Sequence, residues 1–402
     1  MMTSLTMGVG LVVIAWLWLR FAKREVSLPI WSTLEIPELA DEASPFVSIV
    51  VATGTRTRDL ERCVRSLLRQ DYARFEVIVV EASHHAETRE RLLEMEATAE
   101  GNLQVVRGEH SPPGWLNRPA ALQHGMEAAR GDWLLFTTAD TYHAPGLLGR
   151  AMAYARLQGL GMLSLAPRHE CQTFWEHVWQ PIAFQYLAYI WPLEQVGVAS
   201  ARGVWASEAF LLVSRDAYVK AGGHAVVTSE RHEGGPLMHR VKSLGYRVEF
   251  ARAMDLLLTR TYRQFRELWE GWSQSFYVLF GGRPWQVVAH AVAILAWAVL
   301  PFVALIPAFS FAFWGLDMVH GWWDVAFAAS AILAVVTILQ SASVVRRVHR
   351  QSHFYTATLP LAGLCLAAAA VAGCVREAAW RTPPVQDSGR SDTATIRSLT
   401  RE

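Results

Sequence analysis

The chain has 402 residues, of which 52% are hydrophobic and 18% charged, which is too apolar for an ordinary soluble two-domain protein and requires part of the chain to sit in lipid. A formal net charge of +1 lacks the basic excess of a phosphate-binding surface, so nucleic acid is excluded as a partner. The four cysteines Cys63, Cys171, Cys365 and Cys374 lie far apart with no C-x-x-C pair, which speaks against a zinc site or a disulfide framework and for small buried side chains in a reducing compartment.

The first predicted element is an apolar run from Ser4 to Phe21, with Arg20, Lys23 and Arg24 at its far end and no A-x-A cleavage site. Basic residues that follow the run instead of preceding it mark an uncleaved anchor whose C-terminal end faces the cytoplasm. Four short runs rich in Val, Ile and Phe come next, at Phe46 to Ala52, Phe75 to Val80, Leu103 to Val106 and Trp133 to Thr137; they read as buried parallel strands. Helical patterns separate them at Asp59 to Gln70, Glu87 to Ala97 and Pro119 to Arg130. The alternation predicts an open α/β sheet, a Rossmann-like architecture with right-handed crossovers.

Ligands of such sheets bind beyond the carboxyl ends of the strands, which points to Thr53 and Gly54, Glu81, Arg107, and Thr138 to Asp140. Glu81 and Asp140 on adjacent strand ends suit a ribose or a divalent ion, because Mg2+ and Mn2+ prefer carboxylate and phosphate oxygens. Each also has a plainer reading as a strand end in solvent.

Phe174 to Gln195 and Tyr262 to Phe280 are crowded with Trp, Tyr and Phe among polar residues, the composition of segments lying in the headgroup layer. Trp285 to about Trp314, with Pro301 inside, suits one tilted or kinked span. Asp317, Trp322, Trp323 and Asp324 then read as an outer loop. Val325 to Val345 is a further span ending at Arg346, Arg347 and Arg350, which belong inside. A last span, about Tyr355 to Val375, would carry Arg376, Arg381, Arg390, Arg397 and Arg401 outside; a re-entrant segment, an extra turn upstream, or a failure of the charge-bias rule would each resolve that conflict. The expected division is an anchor at 1–24, a cytoplasmic catalytic domain at 44–260, an amphipathic interface helix at 261–284, a transmembrane bundle of about three helices at 285–380 and a tail at 381–402.

From Phe46 to Phe280 the order of motifs resembles the family 2 glycosyltransferases of GT-A fold, in particular the membrane-bound branch with ceramide glucosyltransferases and the hopanoid- and carotenoid-associated enzymes. The motifs are VSIVVATGT, VIVVEAS, PPGW at Pro112 to Trp115, FTTADTYHAP at Phe136 to Pro145, GGH at Gly222 to His224, HEGGPLMHRVKSLGYRV and YRQFRELWEGWSQSF. The resemblance implies inverting transfer of a sugar from a nucleotide-sugar donor to a membrane lipid hydroxyl, with Mg2+ or Mn2+ on the diphosphate, in a bacterial inner membrane. It also implies that Thr53, Glu81, Arg118, Thr138 and Asp140 bind the donor and that Asp140 holds the metal. The D-x-D position reads Thr138-Ala139-Asp140 and the family's catalytic Asp falls on Gly234, next to Glu233. Gln274 stands where Lys is usual, and Glu208 replaces a small residue. Glu233 and Glu208 are therefore the expected bases, with Glu233 able to swing into the space beside Gly234, and His232 and His143 are further candidates. The alternative is a relative of the same fold that binds nucleotide sugar or lipid, or scaffolds a complex, without transfer; Thr138, Gly234 and Gln274 favour it.

Overall fold

The computed structural model describes residues 2–27, 44–53, 59–82, 86–99, 101–108, 111–190, 196, 205–280, 282–313 and 322–381. Gly54, residues 191–195, Asp317 and the tail beyond residue 381, all singled out above, lie outside them.

The α/β part begins with β1 (Val47–Ala52), α2 (Leu60–Leu68), β2 (Phe75–Glu81), α3 (Ala86–Thr98), β3 (Leu103–Arg107), α4 (Asn117–Ala128) and β4 (Trp133–Thr138), preceded by α1 (Met2–Ser27). It continues through β5 (Thr141–His143), α5 (Leu147–Leu157), β6 (Met162–Ala166), β7 (Arg168–His169), α6 (Phe174–Ile190), β8 (Leu211–Ser214), α7 (Arg215–Ala221), α8 (Gly234–Ser243), β9 (Val248–Arg252) and β10 (Leu257–Thr259). The central sheet has seven strands in the order β3-β2-β1-β4-β8-β6-β9; β8 runs antiparallel to both its neighbours. The expected parallel half is present, and β8 makes the whole sheet mixed. A small sheet, β5-β10-β7, sits beside it.

Every residue of β1 and β2 is buried because both faces are covered. Ile49, Val51, Val77 and Val79 pack against Leu60, Val64 and Leu67 of α2 and Leu148 and Met152 of α5. Val50, Ala52, Ile78 and Val80 face Leu122 of α4 and Leu237, Met238 and Val241 of α8. Each such aliphatic side chain contributes about 1.5–3 kcal/mol on burial. At Gly125 a Cβ would lie 2.4 Å from Val50 Cγ1, so glycine is what lets α4 lie close on β1. On α3, Leu92 and Met95 are buried and Leu93 is 45% exposed.

The remaining helices are α9 (Phe265–Leu279), α10 (Pro284–Ala298), α11 (Leu300–Val303), α12 (Leu305–Phe313), α13 (Trp322–Val348) and α14 (Leu359–Arg381). Among the described residues three helices are long and apolar enough to cross a membrane: Ser4–Val26, Trp322–Val348 and His353–Arg376. One is N-terminal and two are C-terminal. Trp285 to Trp314 is not one continuous span. It breaks at Val299 and Ala304, around Pro301, which has no N–H to give the helix. A fourth span exists only if α9 and α10, bent by 116°, count as one.

Helix α1 packs along α13, where Ser4 Oγ donates to Asp324 Oδ1 at 3.0 Å. Trp18 stacks on Trp297 at 4.1 Å. In α6, Val178, Trp179, Ile182, Ala183 and Tyr186 are buried among Trp18, Trp272, Phe276 and Ile294. Its apolar residues go all round the helix, so no face is left for water. Helix α9 keeps an amphipathic pattern. Leu268, Trp272 and Phe276 are buried, while Arg266 and Glu270 pair on the outer face at 2.8 Å.

Candidate active site

In the sheet register, Ala52 faces Val80 on one side and Thr138 on the other. Thr53, Glu81 and the Ala139-Asp140 turn therefore lie at one level along the carboxyl edge, on strands about 4.8 Å apart. Thr53 is buried; its N donates to Val80 O and its Oγ1 accepts from Ala82 N, both at 2.9 Å. Its side chain thus closes the β1–β2 edge. Glu81 is 3% exposed, and its carbonyl accepts from Gly108 N at 2.8 Å.

Asp140 is held from both sides. Thr141 Oγ1 donates to Thr138 O at 2.7 Å, and the Asp140 carbonyl accepts from Thr259 Oγ1 at 3.2 Å and Arg260 N at 3.3 Å. Its carboxylate makes no hydrogen bond or ion pair to the described residues. His143, expected as a possible base, lies beneath this turn with Nε2 at 3.0 Å from Thr141 Oγ1 and 3.1 Å from Thr137 Oγ1. Burial pushes its pKa down to about 3, which makes it a prop for Thr141 and not a proton acceptor.

Opposite this edge, the first turn of α4 presents Arg118, whose Nε donates to Glu233 Oε1 at 2.7 Å. Glu233 is fully buried ahead of α8. Its Oε2 and Arg118 Nη2 find no partner among the described residues. Burial pushes the Glu233 carboxyl up to about 6, against the attraction of Arg118 and with the repulsion of Glu208. For Arg118, burial alone would lower the pKa; the charges of Glu233, Glu208 and Asp140 outweigh it. Three carboxylates thus bear on one guanidinium.

Glu208 Oε1 lies 3.3 Å from His232 Nδ1. Burial would raise the Glu208 carboxyl, but the hydrogen bond and charge of His232 hold it below its ordinary value. Burial would lower His232, and Glu208 raises it instead. Beside Gly234 a Cβ would meet Leu211 Cδ1 at 3.3 Å, Ala206 Cβ at 3.4 Å and Glu208 Cγ at 3.5 Å, room for about one methyl group. A Cβ there would fit with only slight give from Leu211, and in this structure Glu233 is turned toward Arg118. The pairing of Arg231 Nη1 with Gln274 Oε1 at 2.9 Å was not foreseen; nothing in the sequence joins two polar residues so far apart.

Among the described residues no three His, Cys, Asp or Glu side chains converge as a metal cage. A single free carboxylate, Asp140, suits Mg2+ or Mn2+ only in the mode where diphosphate and water complete the shell, which is common for Mg2+.

Residues 48–203 match the model for glycosyl transferase family 2. They form a glycosyltransferase family 2 domain. The matched stretch carries β1 to β7, with Thr53, Glu81, Arg118, Thr138 and Asp140, and the mixed α/β fold around it is GT-A-like. No curated protein matches the chain. Among solved structures, it is similar to a mannosyltransferase from Pyrobaculum calidifontis in complex with GDP-Man and Mn2+, at 17% identity and a TM-score of 0.48, over 84% of this chain and 97% of that one. GalNAc-T7 with UDP, GalNAc and Mn2+ is similar at 13% identity and a TM-score of 0.41, over 56% of this chain and 44% of that one. TarS from S. aureus is similar at 13% identity and a TM-score of 0.37, over 83% and 92%.

Proposed function

We propose that this domain transfers a hexose from a nucleotide sugar to the hydroxyl of a membrane lipid, with inversion, at the cytoplasmic face of a bacterial inner membrane. This is the chemistry of the ceramide, hopanoid and carotenoid branch that its motifs resemble. The observation that carries the reading is the fully buried Glu233 carboxylate, one oxygen 2.7 Å from Arg118 and the other unbonded among the described residues, beside a stretch that matches glycosyl transferase family 2, in a chain with three span-length helices.

In a single displacement the acceptor oxygen attacks the anomeric carbon, the nucleoside diphosphate leaves, and a base takes the hydroxyl proton. Glu233 Oε2 is buried and unbonded. With its pKa near 6, it is ionised at neutral pH yet basic enough to hold that proton. Glu208 is the less basic group, because His232 stabilises its ionised form. Arg118 offers positive charge to the departing diphosphate, and Glu81, at the end of β2, is the proposed contact to the nucleoside. Asp140 would hold Mg2+ or Mn2+, which supplies charge neutralisation at the diphosphate. The bilayer supplies the acceptor.

The second reading, binding without transfer, draws on the Arg118–Glu233 ion pair, which engages one oxygen of the base. The deciding experiment offers UDP- and GDP-sugars with Mn2+ and a membrane lipid extract to the purified protein in detergent, and follows donor hydrolysis and lipid masses. A lipid gaining one hexose is expected. Donor binding without any transfer would give the second reading the advantage, and neither binding nor turnover with any donor would end both.

A further inference from the structure

Just past the end of α13, a cavity opens between β7 and α6. Arg168 and His169 line one side, Phe184 and Gln185 of α6 another, and Met254, His349 and Gln351 a third. Five polar atoms at its walls lack any partner among the described residues: both amide atoms of Gln185, Arg168 Nε, His169 Nδ1 and Gln351 Oε1. Gln185 is 3% exposed, so its amide has given up water and received nothing in return. Buried polar groups are nearly always hydrogen-bonded, and a cluster left open marks a place for a ligand or for ordered water.

Size, chemistry and position narrow the ligand. A cavity volume of about 20 Å³ holds one oxygen-sized group and is too small for a phosphate or a sugar ring. The walls mix donors and acceptors, since an amide provides both and burial keeps the His169 imidazole neutral. A hydroxyl, itself a donor and an acceptor, matches them better than an anion does. Phe184 stacks on His169 at 3.9 Å and, with Met254, makes the approach apolar.

The cavity lies at the level where α13 leaves its apolar stretch. Gln351 N donates to Arg346 O at 2.8 Å, and His349 Nε2 is tied to Glu25 Oε2 at 3.0 Å. On its other side His169 pairs with Thr259, and Thr259 pairs with Thr141, the neighbour of Asp140. Two strand spacings, about 10 Å, therefore separate the cavity wall from the Asp140 turn.

We propose that this cavity is a lipid-alcohol subsite, which takes the neutral hydroxyl end of a lipid from the bilayer surface and holds it about 10 Å from the Asp140 turn. As an acceptor subsite it rests on the glycosyl-transfer reading; as a binding site it does not. The test uses a diazirine-bearing hexadecanol on the full-length protein in nanodiscs, with mass spectrometry of labelled peptides and donor hydrolysis measured on the same sample.

Labelling within residues 167–190, competed by plain hexadecanol but not by palmitate or by hexadecyl methyl ether, is expected. Gln185→Leu should reduce it about ten-fold, the loss of two neutral hydrogen bonds. If Gln185→Leu does not stay monodisperse, Arg168→Met, at a partly exposed position, carries the test with an expected loss of about three-fold. Competition by palmitate equal to that by the alcohol, labelling unchanged in the variants, or no labelling in this segment would each overturn the subsite. Labelling without donor turnover would leave the subsite standing and sink the transfer reading, whereas turnover without labelling would do the reverse.

Discussion

At the amino ends of β1 and β2, Glu76 is 3% exposed, and both its oxygens are bonded. Oε1 accepts from Ser48 Oγ at 2.6 Å and Arg130 N at 2.8 Å; Oε2 accepts from Arg130 Nε at 3.0 Å and Nη2 at 2.7 Å. Ser48 Oγ in turn accepts from Gly131 N at 2.7 Å. At the carboxyl edge of the same sheet, Glu233 is buried just as deeply but has one oxygen bonded and one open. Burial raises both carboxyls. At Glu76 the hydrogen bonds from Ser48 and Arg130 win and lower it, whereas at Glu233 burial wins and the pKa rises to about 6. A closed constellation fixes a fold, and an open one keeps a basic group in reserve.

The largest effect is expected where the open edge has no substitute. Asp140→Ala removes the single carboxylate of the metal motif, so Mn2+-dependent binding of nucleotide sugar by calorimetry should disappear and transfer should fall by about 10³. Affinity that keeps its metal dependence would place the metal elsewhere. Glu233→Gln comes next. Donor affinity should hold while kcat falls by about 10² or more. If Glu233 is the base, as proposed, it acts in its ionised form, and with its carboxyl pushed up to about 6 the wild-type rate should climb through pH 6 and the variant should lose that limb. A limb that persists in the variant belongs to another group.

At the closed edge the readout is stability. Glu76→Gln should cost about 1–3 kcal/mol in denaturant unfolding, with kcat per folded molecule unchanged. The Glu76 carboxyl lies below its ordinary value of 4.5 in the fold. Its contribution is therefore complete above pH 4.5 and lost as the pH falls below it, a slope the variant should flatten. A loss of kcat at full stability would contradict the contrast between the two edges.

The two edges were not equally legible in the sequence. The strand runs FVSIVVA and FEVIVV reveal a buried parallel sheet because period and composition are local properties, and the residues after each strand locate the carboxyl edge. The same rule puts Glu81 and Asp140 at that edge, where the register of β1, β2 and β4 has them. The Glu208–His232 pair joins β8's approach to α8's approach, and its proton sharing depends on a 3.3 Å contact that no spacing rule announces. The walls of the space beside Gly234, Leu211 and Glu208, are likewise not readable from the sequence, because they come from β8 and the segment before it. The partners that bury the aromatic residues of α6, Trp18 and Phe276, are not readable there either, because they lie far from it along the chain. Pro301 did mark the break in the apolar stretch, since a missing N–H acts locally.

The smallest expected effect concerns the tie between the open edge and α9. Gln274 Oε1 accepts from Arg231 Nη1 at 2.9 Å on an exposed surface, one residue from His232. Gln274→Ala removes one hydrogen bond to a cation in contact with water, worth about 0.5–1 kcal/mol, so kcat should fall two- to five-fold at most while donor affinity stays constant. Gln274→Lys should fall further at low salt, because an ammonium facing Arg231 repels it, and should recover toward the alanine value as salt screens the pair. Steady-state kinetics at two ionic strengths separate these outcomes. A loss in Gln274→Ala comparable to that in Glu233→Gln would mean that α9 does more than steady the Arg231–His232–Glu233 segment, and that the open edge extends onto the helix.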